Sequence, residues 1–473
     1  MLFLQLKYES LRLLRSPLPW LLFAFLLVSV GFALFNGSRR LEFKNASILQ
    51  VQNEQKNNFE LLKIQADSTL RGLKPGGSWR QDPTIPVTVV RTGWIISLQT
   101  IPESIIATGI SDLQPDAWRL SLFQLQPRGD TELENPVNLL YGAFDLAFVI
   151  VYLLPLLVIA LSFNLISSER EQGTLDLQRA QPIVFSELFF QKMLARFILL
   201  SGITVLIILP LLVFHTGLSA LGVVLATTGI ALLYVLFWFL VLLAINLWGG
   251  SSAQNALWSI GAWLAFTLII PSMVNLIAQQ AYPIPSRASF QVAMRDLERQ
   301  LEDGREQRID DFYALNPQYK RKPDSEKGWE DLYREVLALN KDEKQMKDSV
   351  EQILSRCADK QEALAGRLVL FSPALSVHRQ LTDISGTSKE SFRTLSTKLE
   401  NLQTNWTGWF QSKLDTGKKL QPGDYDAVMA FPERVAPGKV PNLGTGAILL
   451  FFQCLLAAIW AWWCAVGRRN GNN

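Results

Sequence analysis

The sequence has 473 residues, 49% of them hydrophobic and 18% charged, with a formal net charge of +3 and a positive mean hydropathy. So small a net charge excludes a general nucleic-acid footprint. Cys357, Cys454 and Cys464 supply neither a disulfide framework nor a CxxC metal pair, and His215 and His378 leave little for histidine-based metal or triad chemistry.

Long apolar runs alternate with strongly polar blocks, the segregation of a membrane protein rather than of a soluble globule. In chain order, residues 1–16 predict an amphipathic interfacial helix. Leu2, Phe3, Leu6, Leu11, Leu13 and Leu14 share one broad face, and Gln5, Glu9, Arg12 and Arg15 lie opposite. The apolar run 18–35 is too long for a signal-peptide core, and no small-x-small cleavage site follows it before Arg39-Arg40. Ser16-Pro17 is a helix start, and the first span is expected over 17–36, ended by Asn36-Gly37. Residues 37–137 form a polar block. Leu41 to Leu73 reads as helical, Pro75-Gly76-Gly77-Ser78 breaks it, and the remainder reads as irregular with short strands such as Val87 to Arg91.

The second span covers 138–166, with Pro155 expected to kink it. Asp145 is its one ionisable residue; Leu146 to Ile166 alone can cross, so Asp145 fits an outer interface better than a translocation path. A charged island follows at 167–193. Spans three, four and five are expected at 194–214, 218–247 and 253–278, separated by tight turns at His215-Thr216-Gly217 and Gly249-Gly250-Ser251-Ser252. Asn164, Asn246 and Asn275 are, with Asp145, the polar candidates for lining a path, although capping and interfacial solvation account for such residues near span ends. Residues 279–442 form the larger polar block, read as charge-rich helices standing off the membrane. The sixth span is expected at 443–467, with Trp460, Trp462 and Trp463 as an aromatic belt, and 468–473 as a tail. Lys7, Arg12, Arg15, Arg170, Arg179, Lys192, Arg196, Arg468 and Arg469 put both termini and the island in the cytoplasm by the positive-inside rule. Both polar blocks are then extracytoplasmic.

The island reads Glu169-Arg170-Glu171-Gln172-Gly173-Thr174-Leu175-Asp176, with Pro182 further on. Acid, base, acid, any residue, Gly-Thr, then a Pro several positions on resembles the loop between spans two and three of ABC-2 (type-2 exporter) ABC transporter permeases. Ser372-Pro373-Ala374, Ile384-Ser385-Gly386-Thr387 and Phe392 are similar to a bacterial branch of that class with large extracytoplasmic insertions after span one and before span six. Gln178-Arg179-Ala180 departs from the more aliphatic residues expected before the proline. The resemblance implies an all-α membrane protein of six transmembrane helices, with an N-terminal interfacial helix and two mainly helical insertions. It implies a non-enzymatic permease subunit in a bacterial inner membrane, binding no cofactor itself. ATP and magnesium sit on a separate ATP-binding subunit, present in two copies, and a second permease subunit, the same or paralogous, completes the transporter.

The sequence has no GxxxxGK[ST], so the motor is a separate chain. The resemblance implies that residues 169–176 are its coupling element. Independently of the family, a short helix fixed to spans at both ends is what a motor needs to move a membrane partner. The cargo is unidentified; apolar spans fit a lipid-like or peptide substrate exported or extracted by ATP hydrolysis. The size of the polar blocks sustains an alternative, force transmission to periplasmic or outer-membrane partners without passage of a substrate. Nearly charge-free spans without a visible inverted repeat argue against a secondary transporter, and His378 without a GxSxG context argues against a hydrolase.

Overall fold

The computed structural model describes residues 2–73, 82–121, 125–127, 144–174, 185–248, 250–317, 355–415, 418–438 and 443–470, with four single residues between 339 and 352. Among them, six helices are long and apolar enough to cross a membrane, judged by length and composition. The chain is an all-α membrane protein; among the described residues it has one small sheet, outside the span bundle.

Helix α1 (Leu2–Arg15) stops at Ser16, whose hydroxyl turns back to the Leu13 carbonyl at 2.8 Å rather than capping the next helix. Pro17 opens α2, whose first residues need no N–H partner. This helix runs from Pro17 to Leu70, 54 residues without a break. At 1.5 Å per residue it is about 80 Å long, more than twice a bilayer core. The expected stop at Asn36-Gly37 does not occur. Gly37 is a point of close approach: a Cβ there would lie 2.8 Å from the Ile105 carbonyl oxygen, so glycine lets the 3-10 turn Pro102–Ile105 rest on the helix. Gly37→Val is therefore expected to destabilise the fold by roughly 1–3 kcal/mol through overpacking. A lower unfolding midpoint in detergent, absent in Gly31→Val where a Cβ meets nothing within 4 Å, checks it.

The two polar blocks fold together. The outer half of α2 contributes Phe59 and Ala66 to a core completed by Trp94, Ile96, Trp118 and, from the second block, Phe392, Leu399, Trp406, Phe410 and Tyr425. Strands β1 (Trp94–Leu98), β2 (Ala117–Leu120) and β3 (Leu125–Pro127) form an antiparallel meander, and β4 (Arg434–Val435) from the second block adds in parallel to β1. The expected strand at Val87 to Arg91 lies instead in helix α3 (Pro86–Thr92). Pro86 opens it, Gly93 closes it at φ 71°, and Val89 is fully buried, so the ends and the packing override a β-branched preference.

The second span comprises α4 (residues 146–162), a turn at 163–166, and the short helix α5 (Ser167–Glu171). Then come α6 (Phe185–Thr216), α7 (Leu221–Trp248) and α8 (Ser252–Ala281). Pro155 and Pro271 each follow a π turn, Val149–Leu153 and Ala265–Ile269. A proline has no N–H, so it leaves a carbonyl one turn back without its donor, and an apolar bundle must supply another. Tyr234 of α7 donates to the Val151 carbonyl at 3.2 Å. Ser372 donates to the Phe266 carbonyl at 3.0 Å.

Charge-rich helices α9 (Arg287–Asp303) and α10 (Arg305–Leu315) follow, then helical residues 355–368 (α11), α12 (Pro373–Ile384), α13 (Lys389–Asp415), α14 (Pro422–Met429) and the sixth span α15 (Leu443–Asn470). One helix of the second polar block does not stand off the spans. Ala374, Val377, Leu381 and Ile384 of α12 share the core of the span bundle. Gln453, buried within α15, donates to the Val369 and Leu370 carbonyls at 3.2 and 2.9 Å and to the Ser376 hydroxyl at 3.1 Å, fixing the start of α12.

Candidate functional site

The island is built from a helix that is made to end. The last carbonyls of α4 lie inside the bundle and take side-chain donors from two neighbouring spans: Arg196 of α6 to Leu161, and Asn246 of α7 to Ser162 at 3.1 Å. A helix end without such partners would leave buried carbonyls unsatisfied. The chain then turns at 163–166 and resumes as α5.

Gly-Thr closes α5. The amide of Thr174 donates to the Glu169 carbonyl at 3.0 Å and that of Gly173 to the Arg170 carbonyl at 3.2 Å, the paired bonds of a Schellman cap. Gly173 sits at φ 71°, a conformation that costs a side-chain-bearing residue, and a Cβ there would touch nothing. The glycine thus serves the turn, not a close backbone approach.

Both acids of the motif are committed within the chain. Glu169 forms an ion pair with Lys192 of α6, and their side chains are only 12% and 11% exposed. Glu171 accepts from the Ser252 amide at 2.7 Å and from the Ser252 hydroxyl at 2.8 Å. It thereby supplements the capping box that Ser251 and Gln254 make at the start of α8. The Ser252 hydroxyl, its one hydrogen given to Glu171, lies 2.9 Å from the Ser167 hydroxyl, from which it can accept. The five-residue α5 is strapped to α6 through one carboxylate and to α8 through the other. Arg170, Glu171, Gln172 and Gly173 remain exposed, so the surface offered outward is Arg170 to Gly173. Leu175, Asp176 and Pro182 lie outside the described residues.

The four polar path candidates do not converge. Asn246 is fully buried, donating to the Ser162 and Leu242 carbonyls. Asn164 lies in the turn at 163–166, where its carbonyl accepts from the Ser168 amide. Both sit at the island end. Asp145 sits at the opposite end of α4, 8% exposed, where it accepts from the Phe148 amide at 2.8 Å as an N-cap and from the Thr108 amide at 2.8 Å. Asn275 is exposed near the polar-domain end of α8, where Gln279 approaches its side-chain oxygen at 3.4 Å.

Lys192 and Ser252 carry the island's geometry, yet the motif contains neither. From sequence, Lys192 reads as one of the cations that flank the third span. Ser252 reads from sequence as part of a turn. The residues of the second resemblance join α12 to the bundle. Ser372 accepts from the Leu375 amide as its N-cap, Gly386 closes the helix at φ 66°, and Thr387 donates to the Ala107 carbonyl at 3.0 Å.

Compared with known proteins, residues 6–402 match the family model described as ABC-2 family transporter protein. No curated protein and no solved structure matches the chain.

Proposed function

The chain belongs to the ABC-2 family of transporter proteins, and from that premise we propose that it is the permease subunit on whose island a separate ATP-binding subunit docks to drive export or extraction of a substrate. The observation that carries this reading is the double strapping of α5: Glu169 to Lys192 and Glu171 to Ser252. A solvated loop has no use for two carboxylates bonded to two different spans. An element that receives force must be stiff and tied to what it moves. In this reading the Arg170–Gly173 surface meets the motor, the Glu169 strap passes displacement to α6, and the Glu171 strap passes it to the foot of α8.

The same reading puts the termini and island in the cytoplasm of a bacterial cell, with the polar domain beyond the inner membrane. ATP and magnesium are on two copies of the ATP-binding subunit, and a second permease subunit, identical or paralogous, completes the transporter. Force transmission without passage of a substrate remains the second reading. It is favoured by α2, which contributes Leu26 and Leu34 to the span core and Phe59 to the polar-domain core as one unbroken rod.

Co-purification of the ATP-binding subunit with the tagged chain tests the docking surface. Arg170→Glu, a charge reversal on the exposed face, is expected to reduce recovery at least about tenfold, with membrane insertion unchanged. Gln50→Glu, on the exposed polar-domain length of α2, is expected to change nothing. Undiminished recovery with Arg170→Glu would remove the island from the docking role.

A further inference from the structure

A cleft of about 590 Å³ opens at the polar-domain end of the bundle, between α8, α11 and α12. That size falls in the range of small-molecule sites. The cleft lies at the far end of α8 from the Glu171 strap. Its lining is divided: Ile110, Pro271, Val274, Val369 and Leu375 are apolar, and Glu362, Arg379, Asp383, Lys389 and Glu390 are charged. Beside the apolar wall, on the same helix, Met273, Leu276 and Ile277 are exposed, so apolar surface continues out of the cleft along α8.

The charged wall has an acid in excess. Lys389 is spent on Glu362, with the charged atoms 2.8 Å apart. Arg379 stands near Asp383, whose carboxyl burial pushes up despite that neighbour and a hydrogen bond from Ser388. Glu390 makes no ion pair with any described residue. No group of three acidic, histidine or cysteine side chains among the described residues is arranged to hold a metal ion, so the surplus does not mark a metal site. An apolar wall leading out of the bundle, facing a wall with one carboxylate too many, is complementary to a molecule with an alkyl portion and a positive head.

We propose that this cleft binds an amphiphile bearing a cationic amine, its ammonium against Asp383 and Glu390 and its chain against Pro271 and Val274. The site is distinct from the island, and its test does not depend on where the motor docks.

The test uses the purified full chain in nanodiscs and three photo-crosslinking probes that share one diazirine-bearing decyl chain, ending in an amine, an alcohol or a phosphate. Crosslinked peptides are mapped by mass spectrometry. The amine probe is expected to label segments 269–278 and 362–390 and to be competed by unlabelled decylamine. Labelling should fall at least about tenfold, the equivalent of one lost charge-assisted contact, when Asp383→Asn and Glu390→Gln are combined. Ser272→Trp, at an exposed lining position, fills the cleft without altering its charges and is expected to abolish labelling, which keeps the test independent of the acid variants' folding. Equal labelling by all three probes, stronger labelling by the phosphate, or labelling spread along the spans without competition would each overturn the proposal.

Discussion

Lys192→Met is expected to destabilise the chain by about 3–5 kcal/mol, because it leaves the carboxylate of Glu169 in a largely buried place without its counter-ion. The consequence reaches beyond stability. Glu169 is the first of the two straps on α5, so its release frees the island from α6 while the Glu171 strap to Ser252 persists. Co-purification of the ATP-binding subunit is therefore expected to fall together with the unfolding midpoint. The double variant Glu169→Gln/Lys192→Met removes both charges, and replacing a buried ion pair as a unit is close to neutral. It should restore most of the stability and, if rigidity rather than charge recruits the motor, most of the binding. A double variant as unstable as the single would show that Lys192 acts through something other than Glu169.

The second large effect is expected at Asp145. Its two carboxylate oxygens hold two amides at the polar-domain end of α4, Phe148 at the helix start and Thr108 in the loop laid over it, both at 2.8 Å. Asp145→Ala leaves both donors without an acceptor in a buried place and is expected to cost about 2–5 kcal/mol. Asp145→Asn keeps one acceptor oxygen but turns an NH₂ toward the other amide, so its loss should be about half as large. Amide hydrogen exchange at Thr108 and Phe148 in the detergent-solubilised chain should accelerate in the same order. Wild-type exchange at both amides in the alanine variant would contradict the capping role and return Asp145 to the translocation-path reading.

Residue types near the helix ends explain much of what was legible beforehand. The apolar runs that became α4, α6, α7, α8 and α15 announce themselves by length, because a bilayer core asks for about 20 apolar residues wherever the chain crosses it. Asp145 was legible as a residue at the end of its span because enough apolar sequence followed it, and the structure places it there as the N-cap of α4. Pro155 was legible as a disturbance, but not the form it took. The π turn is possible because Tyr234, distant in sequence, offers a hydroxyl to the Val151 carbonyl. Asn36-Gly37 was misleading for a related reason. A glycine after an asparagine is a good helix stop in isolation, yet here the same glycine is what Ile105 needs in order to approach α2.

What the sequence by itself determined was the set of spans, the island between the second and third, and the helical character of most of the polar chain. These follow from local composition, since hydrophobic run length, capping residues and breakers act within a few turns. Only the tertiary structure decided that Glu169 reaches Lys192 and Glu171 reaches Ser252. Only it decided that β4 completes the sheet begun by β1, and that α12 leaves its polar block to join the spans. Each is a pairing between segments far apart in the chain, fixed by how buried surfaces fit and where unsatisfied carbonyls and carboxylates find donors. No periodicity within a single segment records such a partner.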